Sequence, residues 1–276
     1  MIFLTDDLIT LLQYLLLAVI QGISEILPIS SSGHILLLEN IFDMELSLSF
    51  SIFLHLGSLI AVLFYFRKDI LSFIKSTFFY IKTREEKYQK EFQLCIYLCI
   101  ATLPAAIIGV LFSSLIDQLL CKPVIVCFNF IITGILLLLC DCFKEEKRQE
   151  IMSIKDAFFI GFAQAIGVLP GISRSGITIT SMRYRKYNRK DSARFSFLLF
   201  LPISFGSFLY EVIHIIKEPL SFSSISIPYL CVSVLVSCLC TYLSLQLFFK
   251  FIQKKKLSSF SIYLFLISAL YLLFFL

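Results

Sequence analysis

The sequence has few charged residues, no tryptophan and no lysine or arginine before Arg67. Charged residues make up 16% of the 276 positions, whereas hydrophobic residues make up 58%. Soluble globular domains have about 25% charged and about 45–50% apolar residues. The shortage of charge therefore excludes a soluble globular protein and favours one that lies largely within a membrane.

Two further absences concern domain organisation and export. The longest polar stretch, Arg67 to Glu91, is too short to bury a core of its own. Asp6 and Asp7 stand where a signal peptide would carry basic residues, so we expect the first hydrophobic segment to be retained. We therefore predict a single integral membrane domain over residues 1–276.

The nine cysteines form no CxxC pair, and no histidine stands near them at the spacing of a metal site. We interpret them as small buried hydrophobic residues.

Long apolar runs indicate the fold class. A helix needs roughly 20 residues to cross the hydrocarbon core of a bilayer. Six runs approach or reach this length, which predicts an all-α polytopic protein with about six full transmembrane helices: Phe50–Phe66, Gln93–Leu115, Val124–Cys140, Phe195–Ile216, Tyr229–Phe249 and Ser258–Leu276.

The basic residues are concentrated in a few loops. All but three of the 24 lysines and arginines fall in four segments, residues 67–90, 144–155, 183–194 and 250–256. Cytoplasmic loops carry the excess of lysine and arginine, so these segments are expected on the cytoplasmic side. The loops around Lys122 and Lys217 should then face outward. The net charge of +5 follows this topology, and we expect no nucleic-acid partner.

This charge distribution predicts two re-entrant hairpins. Residues 157–182 are largely apolar but lie between two cytoplasmic basic segments, so they must enter the membrane and return on the same side. If the N-terminus and the loop at residues 43–48 both face outward, residues 8–42 do the same from the other side. Each hairpin has a serine-rich turn at its middle.

The two hairpins also match each other in sequence at an offset of 143 residues. The matched pairs are Gln21 and Gln164, Ser30 and Ser173, Ser32 and Ser175, and Gly33 and Gly176. We interpret the chain as two inverted repeats, about 8–140 and 152–276. Inverted repeats with broken helices place their binding site near the membrane midplane. Irregular backbone at that depth must be buried in protein or line a wet cavity, so the two turns should contact each other.

Arg174 is the strongest single indication of function. An arginine between apolar segments is a functional hypothesis by default, although a structural ion pair with Glu25 is an alternative. Hydroxyl groups, backbone N–H groups at a helix start and a guanidinium together suit a phosphate. The candidate phosphate ligands are Ser30, Ser32, Gly33, Ser173, Ser175, Gly176 and Thr178.

Several polar residues of the first hairpin are candidates for chemistry. Glu25 suits a general base or a ligand of a divalent cation, and Gln21 lies four residues earlier on the same helix face. His34 follows Ser31 by three residues, within reach of it on one helical turn. By contrast, we interpret His55 and His214 as packing residues. Ser24 and Ser58 are interpreted as contacts between helices.

At these two turns the sequence resembles the bacterial undecaprenyl-diphosphate phosphatase family, also called bacitracin-resistance proteins. The residues that carry the resemblance are "QGISEILPISSSGH", "PGISRSGIT" and "SARFSFLLFLPIS". The resemblance extends over the whole chain. One departure is Gln21, which stands where many members have glutamate.

The resemblance implies removal of one phosphate from a C55 polyprenyl diphosphate, which recycles the lipid carrier of cell-wall synthesis. It implies functional roles for Glu25, Ser31, His34 and Arg174. It also implies dependence on Mg²⁺ or Ca²⁺, with Glu25 and Gln21 as candidate ligands, a bacterial inner (plasma) membrane location, and a site open to the outer face. The expected partners are the polyprenyl diphosphate and membrane lipids, and a homodimer remains open.

Alternatives remain at this stage. Ser31 is the first choice of nucleophile, with His34 or Glu25 as its base, but His34 or water are alternative nucleophiles. A transporter or flippase of an anionic lipid would also use an inverted repeat and a midplane arginine. A structural membrane subunit would give no reason to bury Arg174.

Overall fold

The computed structural model describes residues 2–44, 48–112, 115–116, 122–144, 152–217, 227–254 and 256–275. These residues form α-helices and one 3-10 turn, Glu86–Tyr88, and the described part of the chain contains no strand. The all-α class is therefore confirmed. The helices are α1 Ile2–Ser24, α2 Ser31–Phe42, α3 Leu48–Tyr65, α4 Arg67–Thr83, α5 Gln89–Leu111, α6 Pro123–Cys142, α7 Ile154–Ile166, α8 Arg174–Tyr184, α9 Arg189–Lys217, α10 Ile227–Lys254 and α11 Ser259–Phe275.

The protein is a multi-pass membrane protein, and its described helices include four or five candidate spans, whereas about six were expected. Among the described residues, α5, α6, α9 and α10 are long and apolar enough to cross a bilayer. A fifth span is reached if α3 and α4 are taken together, but these two helices meet at an angle of 69°. The remaining run, α11, has only 17 residues. The first expected span, Phe50–Phe66, corresponds to α3, and α4 begins two residues after the end of α3.

Helix α4 lies within the stretch that the sequence suggested to be a polar loop. One of its faces exposes four large apolar side chains, Leu71, Ile74, Phe78 and Ile81, at helical spacing. Lysines occur beside this face, and Phe73 is buried on another. An apolar face bordered by lysines is typical of a helix that lies in the membrane interface. The bend at Phe66 thus separates the apolar helix α3 from a helix with the amphipathic pattern of an interfacial one.

The two expected hairpins are both helix–turn–helix units, α1–α2 and α7–α8. Helix α1 packs along α10, and its counterpart α7 packs along α5. Both pairs approach closely at a glycine: a Cβ on Gly22 would lie 2.6 Å from the carbonyl oxygen of Ser237, and one on Gly161 would lie 2.8 Å from that of Ala101. The first helix of each repeat thus packs against a long helix of the other repeat, which supports the division into two repeats. Their inverted orientation across a bilayer stays a prediction.

Small polar residues join α3 to α10. The Ser58 hydroxyl lies 2.9 Å from that of Thr241 and 3.3 Å from that of Ser237, so its interpretation as a contact between helices is confirmed. Ser24 behaves differently, because its hydroxyl donates to the carbonyl oxygen of Ile20 on its own helix at 2.5 Å. The interpretation of Ser24 as a contact between helices was wrong.

Only some of the cysteines are buried. Cys127 and Cys140 lie in the core, as expected, but Cys99, Cys142 and Cys231 are exposed on the helix surfaces. The expectation of burial was wrong for these three. Because they are weakly polar, such side chains are tolerated on a surface that faces lipid.

Candidate active site

The two serine-rich turns have the same local structure at matched positions. Ser30 caps α2 and accepts the backbone N–H of Gly33 at 3.4 Å. Ser173 caps α8 and accepts the backbone N–H of Gly176 at 3.1 Å. A serine at the N-cap accepts a backbone N–H that has no partner within the helix. These two glycine N–H groups are therefore engaged by serine, not free for a phosphate.

Helix α6 holds the second turn with polar side chains that the sequence reasoning did not single out. Asn129 donates to the carbonyl oxygen of Pro170 at 2.6 Å, and Thr133 donates to that of Gly171 at 3.0 Å. The backbone N–H of Ser173 donates in turn to the Thr133 hydroxyl at 3.1 Å. Two polar side chains four residues apart in an apolar helix were the signal that could have revealed them.

The turns meet, as expected, and Arg174 and Glu25 join them. Nη2 of Arg174 lies 2.6 Å from Oε1 of Glu25. Nη1 of the same guanidinium donates to Ser204 at 3.3 Å, and the guanidinium lies over the ring of Phe200 at 4.3 Å. The ion pair that was the alternative reading of Arg174 is therefore present.

The second carboxylate oxygen of Glu25, Oε2, accepts two further hydrogen bonds. The Ser31 hydroxyl donates to Oε2 of Glu25 at 2.6 Å. Nε2 of Gln21, one helical turn before Glu25, donates to the same oxygen at 2.9 Å. The Glu25 side chain is only 4% exposed, so its charge is compensated by these partners and by Arg174.

His55 belongs to the site, so its interpretation as a packing residue was wrong. Its Nδ1 lies 2.9 Å from Nε2 of Gln21 and 3.4 Å from Oε2 of Glu25. An amide nitrogen can only donate, so Nδ1 accepts from Gln21 in this arrangement. A histidine within an apolar helix was itself a signal, since ionisable residues at membrane depth are functional candidates. The side chain of His214 lies outside the described residues.

His34 is placed differently from the expectation that it serves Ser31. Its Nδ1 lies 2.7 Å from the carbonyl oxygen of Ser30, and its Nε2 lies 2.7 Å from the Tyr263 hydroxyl on α11. The imidazole is stacked on the Tyr263 ring. Both ring nitrogens thus hold the first turn against α11, and the structure brings Ser31 to Glu25 instead.

A cavity of about 360 Å³ lies in front of these groups, between α3 and α9. Seven of the expected site residues line it: Glu25, Ser30, Ser31, Ser32, Ser173, Arg174 and Ser175. Five expected residues do not: Gln21, Gly33, His34, Gly176 and Thr178. Thr178 is buried, and its hydroxyl lies 2.6 Å from that of Ser196 on α9. The expected contact between Thr178 and the substrate is therefore not supported.

The groups near Glu25 could hold a divalent cation only if the substrate supplied some of its ligands. Within the part of the chain that the structure describes, no three acidic, histidine or cysteine residues are grouped as a metal site. Magnesium is commonly held by one or two carboxylates together with substrate phosphates. Glu25 supplies one carboxylate, and the Gln21 amide, which contacts it, contains a further oxygen.

The arrangement has the parts of a phosphoryl-transfer site. A serine hydroxyl that donates to a carboxylate can be activated as a nucleophile. A guanidinium fixed beside it can stabilise negative charge on a transferring group. The apolar side chains Ile52, Leu56, Leu59, Ile203 and Phe208 line the rest of the cavity, which suits a ligand with one charged end and one apolar end.

Comparison with known proteins gives a consistent result. A family model described as bacitracin resistance protein BacA matches residues 14–270. The chain is 37% identical over 265 residues to undecaprenyl-diphosphatase 2 of Bacillus thuringiensis, covering 96% of this chain and 97% of that protein. It is 36% identical over 270 residues to undecaprenyl-diphosphatase 1 of Bacillus licheniformis, covering 97% and 99%. Undecaprenyl-diphosphatase 1 of Halalkalibacterium halodurans is 34% identical over 260 residues, or 94% of each chain.

Proposed function

The chain belongs to the bacitracin resistance protein BacA family, and we propose that it is an undecaprenyl-diphosphate phosphatase in which Ser31 is the nucleophile. It hydrolyses undecaprenyl diphosphate to undecaprenyl phosphate and inorganic phosphate, which returns the lipid carrier to cell-wall glycan synthesis and confers bacitracin resistance. The observation that carries the residue assignment is the 2.6 Å hydrogen bond from Ser31 to Glu25 beside Arg174.

The reaction proceeds in two displacements at phosphorus. Ser31 Oγ forms a bond to the terminal phosphorus, its proton passes to Glu25, and the bond from that phosphorus to the bridging oxygen breaks. Undecaprenyl phosphate leaves with the bridging oxygen. Glu25 releases that proton to solvent. Water then attacks the phosphoserine and gives a proton to Glu25, the bond from phosphorus to Ser31 Oγ breaks, and Glu25 passes the proton to Oγ as inorganic phosphate leaves. The buried Glu25 carboxylate is suited to this role because it already accepts a hydrogen bond from the Ser31 hydroxyl.

Arg174 stabilises the charge of the transferring phosphoryl group. In the free protein its guanidinium is shared between Glu25 and Ser204. A phosphate in the cavity would compete with Glu25 for one side of the guanidinium, which would also free the carboxylate to take the serine proton. Ser32, Ser173 and Ser175 line the same cavity and can donate to the remaining phosphate oxygens.

A divalent cation, Mg²⁺ or Ca²⁺, is part of the proposal. Glu25 and Gln21 would hold it together with the diphosphate, because one carboxylate with phosphate oxygens is a common ligand set. The cation would neutralise charge on the phosphate oxygens.

We also propose that the protein lies in the bacterial inner (plasma) membrane with its site open to the outer face. The cavity is lined by α3 from Ser51 to Leu59 and by α9 from Ile203 to Phe208. These residues are several helical turns from the basic segments at Arg67 and Arg189, which are expected in the cytoplasm. Cysteine replacements at Ser207 and Lys254, in a background without native cysteines, test this orientation with an impermeant thiol reagent on intact cells. Labelling at residue 207 and not at 254 is expected. Labelling at residue 254 and not at 207 would show that the site opens to the cytoplasm.

The direct test of the function uses detergent-purified protein and a C55 polyprenyl diphosphate. Wild type is expected to release inorganic phosphate, and Ser31→Ala is expected to abolish release while still binding the lipid. A transporter or flippase would bind the lipid and release no phosphate. The Ser31 and Glu25 contact favours the enzyme, since binding alone does not require a serine that donates to a buried carboxylate.

A further inference from the structure

A second cavity lies at the cytoplasmic end of α10, away from the residues used above. Its volume is about 400 Å³. Five of its lining residues come from α10, one from α11 and one from the first serine-rich turn: Leu247, Phe248, Lys250, Phe251, Lys254, Phe260 and Leu27. No part of the reaction scheme uses this cavity.

The two lysines of this cavity lie closer to the end of α10 than Leu247 and Phe248 do. Lys254 is the last residue of α10, and Leu247 lies seven residues earlier on the same helix face, about 10 Å deeper at 1.5 Å per residue. Lys250 and Lys254 are exposed, and neither has a carboxylate partner among the described residues. The rings of Phe251 and Phe260 pack together with their centroids 5.2 Å apart. Two cations therefore lie within the last two turns of α10, beside an apolar wall.

We propose that this cavity binds an anionic phospholipid of the cytoplasmic leaflet. Its phosphate would pair with Lys250 and Lys254, and an acyl chain would lie along Leu247, Phe251 and Phe260. Basic pockets between helices on the cytoplasmic side are suited to anionic head groups. A neutral phospholipid would leave the two lysines without a net counter-charge, and a free phosphate ion would leave the apolar wall unused.

The same lipid would contact the first serine-rich turn through Leu27. Leu27, which forms part of the cavity wall, lies between Glu25 and Ser30 in the turn. An acyl chain against Leu27 would restrict the motion of this segment without touching the reacting groups. The site thus links the lipid composition of the inner leaflet to the order of the turn.

The absence of tryptophan from the chain allows a specific binding test. Leu247→Trp places a single tryptophan on the cavity wall, at a side chain that is 65% exposed and therefore tolerant of change. Phosphatidylglycerol with brominated chains should quench it at a membrane fraction on the order of tenfold lower than brominated phosphatidylcholine, given the attraction of each lysine for an anionic surface. Adding Lys250→Gln and Lys254→Gln should remove this preference.

Two controls identify the source of any preference. Lys68→Gln with Lys75→Gln on α4 should leave the quenching of Leu247→Trp unchanged. Leu235→Trp, on the same helix but at an exposed position outside the cavity, should show no preference between the two lipids. Equal quenching of Leu247→Trp by both lipids, or a preference that survives the loss of both lysines, would overturn the site. Should Leu247→Trp fail to fold, Phe251→Trp serves as the reporter.

Hydrogen exchange of the wild-type protein tests the contact with the turn. Amides of residues 25–30 should exchange more slowly in bilayers with phosphatidylglycerol than in phosphatidylcholine alone, and the double lysine variant should lose this difference. Identical exchange in both bilayers would overturn the contact through Leu27. Neither measurement depends on phosphatase activity, so failure of the proposed function would not alter the result.

Discussion

The Ser31 hydroxyl donates to Oε2 of Glu25 at 2.6 Å, six residues earlier in the chain. The other oxygen of that carboxylate holds Arg174 at the same distance. The proposed nucleophile Ser31 and the Arg174 guanidinium therefore contact the same buried carboxylate, which is the proposed base. A change to any of the three alters the surroundings of the other two, and this coupling decides which substitutions are informative.

Ser31→Ala removes the nucleophile but leaves the pair of Glu25 and Arg174 intact. We expect kcat to fall by about 10³-fold or more, and the free energy of unfolding to fall by about 1–3 kcal/mol, because the buried Glu25 carboxylate loses one hydrogen bond. The matched control is Ser32→Ala, which changes a neighbouring exposed serine of the same cavity and should alter kcat by only a few fold. Steady-state phosphate release by the two variants makes the comparison. An equal loss in both would contradict the assignment of Ser31.

Arg174→Lys keeps the positive charge but loses the planar group that reaches Glu25 and Ser204 and stacks on Phe200. We expect kcat/KM to fall by about 10²–10³-fold, because one ammonium cannot replace two directed donors. Arg194→Lys, at a partly exposed ion pair with Asp69, provides the control and should retain activity. Near-normal kcat/KM in Arg174→Lys would show that only the charge matters.

Tyr263→Phe separates a positioning role of His34 from a chemical one. The change removes the hydroxyl that lies 2.7 Å from Nε2 of His34. We expect the free energy of unfolding to fall by about 1 kcal/mol, as for the loss of one hydrogen bond, and kcat to fall less than about tenfold. Thermal unfolding and kcat are measured on the same sample. A loss of kcat as large as that of Ser31→Ala would place His34 in the chemistry.

Gln21→Glu tests the proposed cation. The new carboxylate would lie beside Glu25, where Nε2 of Gln21 now contacts Oε2 at 2.9 Å. Two adjacent carboxylates repel each other unless a cation or proton lies between them. We expect the Mg²⁺ concentration for half-maximal activity to fall in the variant, and EDTA to remove activity from both proteins. Activity of wild type that is indifferent to EDTA would exclude the cation from the reaction.

Gly33→Ala tests the contact between the two turns. A Cβ at Gly33 would lie 2.5 Å from Cε1 of Phe130 and 2.9 Å from Cα of Gly171. We expect destabilisation by about 1–3 kcal/mol, as for overpacking of a core. Gly109→Ala on α5 is the control, because a Cβ there meets no atom within 4 Å and a helical alanine is favoured over glycine by roughly 0.5–1 kcal/mol. Equal unfolding temperatures for the two variants would argue against the close contact.

Much of the site was predictable because its parts are unusual in a membrane protein. Arg174 and Glu25 interrupt apolar segments, and such residues are rarely tolerated there without a role. The match of Ser30 with Ser173 indicated two corresponding turns, and the structure shows in addition that each serine caps a helix. His55 was interpreted as a packing residue, and Tyr263 and Asn129 were not singled out, because all three lie in apolar helices that are distant in sequence from the two turns.

The sequence by itself determined the all-α membrane architecture, the two broken hairpins and the residues at their turns, because these follow from hydrophobic length, charge distribution and local turn chemistry. Only the tertiary structure decided which groups meet. It brought Ser31 and not His34 to Glu25, added His55 and Ser204 from other helices, and turned α4 away from α3. Contacts between residues far apart in the chain depend on helix packing, which periodicity and composition do not encode.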